Sequence, residues 1–393
     1  MGNKIQMIEL SKEHNAIREE IETAINKVID SSAFIHGEEV ELFERNLERY
    51  LGVKHVIGCA NGTDALQIAL MALDLKPGDQ VLVPAFTYVA TAEVIALLKL
   101  IPVMYDVNPR TFNTDGVVSL EKVEELINDK TKAIVPVHLF GQCSDMNAVL
   151  AVANRYNLKV VEDCAQALGA KCKVGEEEMM AGTIGNIGCT SFFPTKNLGA
   201  MGDGGALFTN DDALAQRIRM IASHGQEKKY HHKVIGVNSR LDTIQAAVLN
   251  VKLKYLDGYL AKRRQAAALY TTLFTKADPQ NKYLYTPKEV EFSTHTYHQY
   301  TLIIKDNKRD ALRQHLAEKG IASMIYYPLP LSDQEAFQNI ALRREDFSKS
   351  AADSLHNSEY LAAHVLSLPM NPTITAESIE LIVNDVINFL KEA

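Results

Sequence analysis

Residues 158–170 read LKVVEDCAQALGA. The apolar run from Leu158 to Val161 with two acids directly behind it predicts a buried strand that ends at Asp163. A carboxylate there sits at the carboxyl end of a strand, the edge at which open α/β sheets bind ligands. Two readings share the residue. Asp163 either caps a following helix or pairs with a protonated ring N–H, a charge-assisted bond of about 1.5–3 kcal/mol. Gln166, expected one helical turn further on, could meet the same ligand.

Outward from this stretch, short apolar runs alternate with amphipathic ones. HVIGCA, DQVLVPAF, LIPVMYDVN, KAIVPVHLF, GCTSFF and GGALFTN read as further strands. TDALQIALMALDL between them reads as a helix with Leu66, Ala69, Leu70 and Leu73 on one face. Strands apolar on both faces and separated by helices imply a covered, mostly parallel sheet, hence an α/β fold. After about residue 250 the pattern changes. A long polar helix, VKLKYLDGYLAKRRQAAALYTTLFTK, leads to an irregular stretch near 278–292, after which HQYTLIIK, RDALRQHLAEKG and IASMIYYP read as a β-α-β unit. The expected division is a large domain over 1–260 with the N-terminal helix, and a smaller α+β domain over 261–393.

Composition narrows the function. Of 393 residues, 41 are Lys or Arg and 49 Asp or Glu, a formal charge of -8. That argues against a nucleic-acid binder, which needs a basic face. The five cysteines are odd in number and lack CxxC spacing, as reduced buried thiols do. The first twenty residues carry charges where a secretory signal has its apolar region, and no apolar run approaches the length of a membrane span. A soluble cytoplasmic protein is expected. His295, His298, His231 and His232 come without HExxH or a carboxylate set, so no metal is expected.

Two motifs could hold a phosphorylated ligand. In GCANGTDALQIAL a strand ends, Gly62 turns the chain, and Thr63 begins a helix, which is either an ordinary cap or an anion site. In TSFFPTKNLGAMGDGG, residues 190–205, Lys196 stands between hydroxyls and glycines, with Ser191 as a second hydroxyl for phosphate. A solvated lysine is the commoner case. A lysine buried beside a cofactor, however, can lose its proton and bind a carbonyl covalently.

The ordered motifs ANGTDAL, PAFTYVATAEVI, VEDCAQALGA, TSFFPTKNLGAMGDGG, HGQ and GVNSRLDTIQAAVL resemble the fold type I, pyridoxal phosphate-dependent nucleotide-sugar aminotransferases, the DegT/DnrJ/StrS group. The likeness runs from FIHGEEVELFE to YYPLPL. It implies that Lys196 carries pyridoxal 5'-phosphate covalently, that Asp163 pairs with the pyridine nitrogen, and that Gln166 lies beside the ring. It implies further that Tyr88 stacks on the ring and that Gly62, Thr63 and Ser191 cradle the phosphate. Asn238 matches a residue reaching the phosphate from a partner subunit, which implies a homodimer with shared active sites. Relatives that dehydrate sugars carry histidine in place of Lys196, so aminotransfer is expected. The motifs look most like members acting on UDP-2-acetamido-3-keto-glucuronate, with L-glutamate as donor and surface-polysaccharide sugars as the outcome; a 4-keto sugar or a non-catalytic regulatory role are the alternatives. His36, Arg240, Tyr326 and Tyr327 are the expected substrate contacts, Arg240 either clamping a carboxylate or diphosphate or pairing with Asp242. Two positions depart from the pattern: Ser332 stands where many relatives have histidine, and Tyr326 where some do.

Overall fold

The computed structural model describes residues 4–115, 123–342 and 355–392. Nine strands come first in the chain: β1 (His55–Cys59), β2 (Gln80–Pro84), β3 (Ile101–Tyr105), β4 (Thr131–Ile134), β5 (Lys159–Asp163), β6 (Lys171–Val174), β7 (Glu177–Met180), β8 (Ile187–Ser191) and β9 (Gly205–Thr209). Seven of them form one sheet in the order β1-β9-β8-β5-β4-β2-β3. All neighbours are parallel except at β9, which runs antiparallel to both β1 and β8. Reversing one strand leaves β1, β2, β5 and β8 pointing the same way. Their carboxyl ends therefore open onto a single edge, and the chain leaves that edge toward Gly62, Tyr88, Asp163 and Ser191.

The sheet is covered on both faces. Val56, Leu82, Val160 and Phe208 belong to one core, while their chain neighbours Ile57, Val81, Val161 and Leu207 belong to another. This is the two-residue alternation of a strand with apolar contacts on each side. The helix Gly62–Ala72 is apolar almost all round and buries Ala65, Leu66, Ile68, Ala69, Leu70 and Ala72. Its cap is Asn61, whose side chain accepts from the Asp64 amide at 2.8 Å, so Thr63 lies inside the first turn and is free of capping duty.

The long polar helix is two helices, Thr243–Leu253 and Leu256–Ala277. The second crosses between cores: Leu256 and Leu260 pack with the large sheet, whereas Ala266, Ala267, Tyr270 and Phe274 pack with a third cluster built on the C-terminal strands. Ile5 also packs against that third cluster.

Beyond a short hairpin of β10 (Gln226–Lys228) and β11 (His231–His232), the strands β12 (Leu284–Tyr285), β13 (Tyr300–Ile304) and β14 (Val365–Leu368) form a three-stranded antiparallel sheet. The β-α-β reading of 298–328 is corrected here. IASMIYYP makes only isolated bridges, Ile5 with Ile321 and Met324 with Ser367. The place beside β13 is taken by β14, all four of whose residues are buried, while Pro328 and Pro330 lack the N–H groups a ladder needs.

Candidate functional site

At the end of β5 the Asp163 side chain is buried and tied from two directions. Thr91 Oγ1 donates to Oδ2 at 2.7 Å and the Ala165 amide donates to Oδ1 at 3.1 Å. The expected helix after Asp163 is a run of turns, closed by Ala167 N–H to Cys164 O and Ala170 N–H to Ala167 O. The bond to the Ala165 amide starts this turn. Gln166 is thereby set crosswise: its Oε1 accepts from the Phe140 amide at 2.8 Å and its Nε2 donates to the Tyr327 hydroxyl at 3.1 Å. The Tyr327 ring stands 6.0 Å from that of Tyr88 between centroids. Tyr88 itself is 55% exposed, a large apolar face left uncovered at the mouth of the site.

Lys196 follows β8 in a tight loop, its amide donating to Phe193 O at 2.8 Å. Gly199 permits that closure, since a Cβ there would lie 2.2 Å from Pro194 O. Part of the Lys196 side chain meets solvent, yet desolvation around the ammonium lowers its pKa to about 8, and the nearby Asp163 charge raises it only in part. Next to it, Asn197 Nδ2 donates to Thr296 Oγ1 at 3.0 Å, stitching the loop to the C-terminal part of the chain. At Gly62 a Cβ would sit 2.6 Å from Ser191 Cβ, so the helix N-terminus and the end of β8 touch only because residue 62 has no side chain.

His36, Asn238 and Arg240 stand apart from this group. His36 and Arg240 line a separate cavity of about 460 Å³, together with Ser223, Ser239 and Arg219. Asn238 is exposed and bridges to Ser223 at its rim. Ser239 Oγ accepts from the Ala60 amide at 3.0 Å, which lays this strip alongside the chain leading to Gly62. Among the described residues no hydrogen bond or ion pair joins these three to Lys196, Asp163 or Gln166, and none pairs Arg240 with Asp242. Tyr326 packs beside Tyr327 at 5.8 Å between ring centroids, its hydroxyl pKa raised by burial.

Thr91 was not singled out by sequence, although it lies inside the motif PAFTYVATAEVI. Its signal was a hydroxyl in the first turn of the helix Ala90–Leu97 that follows Tyr88. Glu162 was also passed over. Fully buried, it pairs with His138 at 2.9 Å and accepts from the Gly182, Ile184 and Gly185 amides at 2.9, 2.7 and 2.5 Å. On the face of β5 opposite Asp163, it pins the strand end from behind.

Four elements thus bring a carboxylate, a lysine of depressed pKa, a glycine-backed helix N-terminus and an uncovered aromatic ring to one sheet edge. The DegT/DnrJ/EryC1/StrS aminotransferase family matches residues 15–387. The chain belongs to this family. It is a fold type I sugar aminotransferase that uses pyridoxal phosphate. It is 44% identical over 387 residues to a pleiotropic regulatory protein of Geobacillus stearothermophilus, covering 98% of this chain and 99% of that one. With the UDP-2-acetamido-2-deoxy-3-oxo-D-glucuronate aminotransferase of Pseudomonas aeruginosa it shares 41% identity over 378 residues, 96% of this chain and 98% of the relative. A crystal structure of a family member from Brucella abortus superposes with a TM-score of 0.89 at 39% identity, covering 98% and 99% of the two chains. The residues at the sheet edge fit the cofactor. A buried acid suits a ring N–H, the helix N-terminus at Gly62 with the Ser191 hydroxyl packed against it suits a phosphate, and a partly neutral amine suits a carbonyl. No helix among the described residues is long and apolar enough to cross a membrane.

Proposed function

We propose that this DegT/DnrJ/EryC1/StrS protein transfers an amino group from L-glutamate to a 3-keto UDP-sugar of the 2-acetamido-3-keto-glucuronate type, at a site shared between two copies of the chain. The observation that carries the catalytic reading is Lys196, a half-buried lysine lowered to about 8 beside the anchored Asp163. The 41% likeness to an aminotransferase named for a 3-oxo UDP-sugar supports the substrate class.

Pyridoxal phosphate, when bound, supplies an electron sink for moving an amino group. The protein's part is to place it and to move protons. Asp163 holds a fixed negative charge where a ring nitrogen is to stay protonated, and Thr91 with the Ala165 amide keeps that carboxylate aimed. The free N–H groups at Gly62 and Thr63, with the Ser191 hydroxyl, bind phosphate at a positive helix end. Tyr88 offers its face to the flat ring, and Gln166, fixed between Phe140 and Tyr327, limits sideways slip. Nζ of Lys196 would take the proton from the donor carbon and hand it to the carbon on the cofactor side of the same nitrogen, the shift that an amino transfer needs. At pH 7 about a tenth of such a group is neutral, against under about one in a thousand for an ordinary lysine.

The separate grouping of His36, Asn238 and Arg240 supports the shared site. These residues are free in one protomer to serve the other, with the planar Arg240 guanidinium suited to a sugar carboxylate or diphosphate. Tyr326 and Tyr327 would meet the sugar from the protomer's own side.

Two outcomes follow from the geometry. Gly62→Ala pushes the helix N-terminus from Ser191, so the Kd for pyridoxal phosphate should rise about tenfold or more, about 1.4 kcal/mol; a titration showing unchanged affinity removes the cradle. The pH dependence of cofactor capture by cofactor-free protein reads Lys196 directly. Because its pKa is lowered, the reactive neutral amine gains with rising pH only up to about 8. The capture rate should climb about tenfold per pH unit below that value and level above it. Continued climb toward pH 10 would mean an unperturbed lysine.

The substrate reading is tested by incubating the holoenzyme with glutamate and a panel of nucleotide 3-keto and 4-keto sugars, with mass analysis of the products. Amination of the 3-keto UDP-sugar is expected. Preference for a 4-keto sugar overturns the assigned position, and unaminated sugar throughout would favour a role like that named for the Geobacillus relative.

A further inference from the structure

We propose that Cys143 and Cys172 form a redox-modification site, a thiol pair that closes to a reversible disulfide and ties the loop supporting Gln166 to the β6–β7 hairpin. The two residues come from separate elements that meet at one serine. The Cys143 amide donates to Ser293 Oγ at 3.0 Å, and Cys172 forms a backbone bridge with Ser293. Cys172 Sγ lies 4.0 Å from the carbonyl of Ser144, the residue after Cys143. Each thiol lies in the field of the other: Cys143, with the nearby His138, lowers the pKa of Cys172 against the opposing effect of burial, while Cys172 and burial raise that of Cys143. Glu162 opposes ionisation of both.

The remaining cysteines lack this arrangement. Cys59 Sγ donates to Asn61 O at 3.3 Å and Cys164 Sγ to Cys189 O at 3.0 Å, and burial raises the pKa of all three. The thiolate is the attacking species in disulfide chemistry, so one pair is set for it and the other is not.

With a peroxide as oxidant, the Cys172 thiolate attacks oxygen; an S–O bond forms, the O–O bond breaks, and hydroxide leaves to be protonated to water. The Cys143 sulfur, giving up its proton, then displaces the sulfenic hydroxyl as a second water while the S–S bond forms. Two thiols lose two electrons and the peroxide becomes two waters. Both cysteines are buried, beside the exposed hairpin residues Lys171 and Lys173, so the oxidant is a small one. The cross-link bears on function because the loop carrying Cys143 also carries Phe140, whose amide holds Gln166 at 2.8 Å.

The test uses the full-length holoenzyme. After treatment with hydrogen peroxide it is denatured, alkylated and weighed, then digested and mapped. Loss of two of the five labels, a peptide linking Cys143 to Cys172, and return of both labels with dithiothreitol are expected. The absorbance of the bound cofactor should shift on oxidation and revert with the reductant. In Cys172→Ser all four remaining thiols should stay alkylatable at the same dose. Five labels after treatment, a link between Cys164 and Cys189, or irreversible oxygen addition without a link would each overturn the proposal. The wild-type map decides the matter even if the variant does not fold.

Discussion

Asp163→Asn protein should bind pyridoxal phosphate nearly as well as the wild type and turn over about 10²–10³-fold more slowly, the usual range for removing one preorganised electrostatic group. The substitution keeps the shape at the end of β5 and leaves an amide oxygen to accept from Thr91 Oγ1 or the Ala165 amide. What it removes is the charge. Without that charge a ring nitrogen no longer keeps its proton, and the electron sink weakens while the phosphate and ring contacts proposed for Gly62, Ser191 and Tyr88 persist. Affinity measured by titration and kcat measured with glutamate separate the two effects. Near-normal turnover would remove Asp163 from the chemistry. Loss of binding alone would recast it as an anchor.

Lys196→Ala is expected to cost more, about 10⁴-fold or greater in turnover, as when one member of a unit acting together is deleted. The near-visible absorbance of the covalently held cofactor should vanish as well. In the proposed role the side chain supplies both the covalent attachment and the proton carrier, so no neighbour replaces it in place. Added methylamine should restore a small part of the proton transfer. A retained absorbance band in this variant would show that another amine holds the cofactor.

The chain contains a rival for that role. Lys252 is buried and its pKa is likewise lowered to about 8, by burial, with Glu13 opposing the shift. A depressed pKa alone does not mark a functional lysine. Lys252 lies in the helix Thr243–Leu253, with its Nζ near His14 Nε2, away from the sheet edge. Lys196 is set apart by its company, Asp163 in its field and Ser191 on the strand before it.

Sequence conveyed the large sheet well because its signal is local. Each of the seven expected apolar runs is one of the seven strands, since burial on both faces demands continuous apolar residues. The reversed direction of β9 is carried by no local pattern, and neither is the strand order. The C-terminal sheet misled for a related reason: IASMIYYP has the composition of a strand, but β14, over sixty residues after β13, covers the edge it was expected to fill. Gln166 was expected one helical turn beyond Asp163 and instead follows a run of turns, because the chain after Asp163 is set by a side chain bonding its own backbone. Thr91 and Glu162 act through partners distant in sequence, which a reading along the chain does not bring together. The homodimer implied by Asn238 concerns a second chain, and the separate position of His36, Asn238 and Arg240 is the feature of one protomer that speaks to it.

The most direct test of the central claim is to reduce the holoenzyme with borohydride, digest it, and map by mass the lysine that keeps the phosphopyridoxyl group. The geometry at the carboxyl ends of β5 and β8 predicts a single marked peptide bearing Lys196. A mark on Lys252 or any other lysine, with Lys196 unmodified, would contradict it.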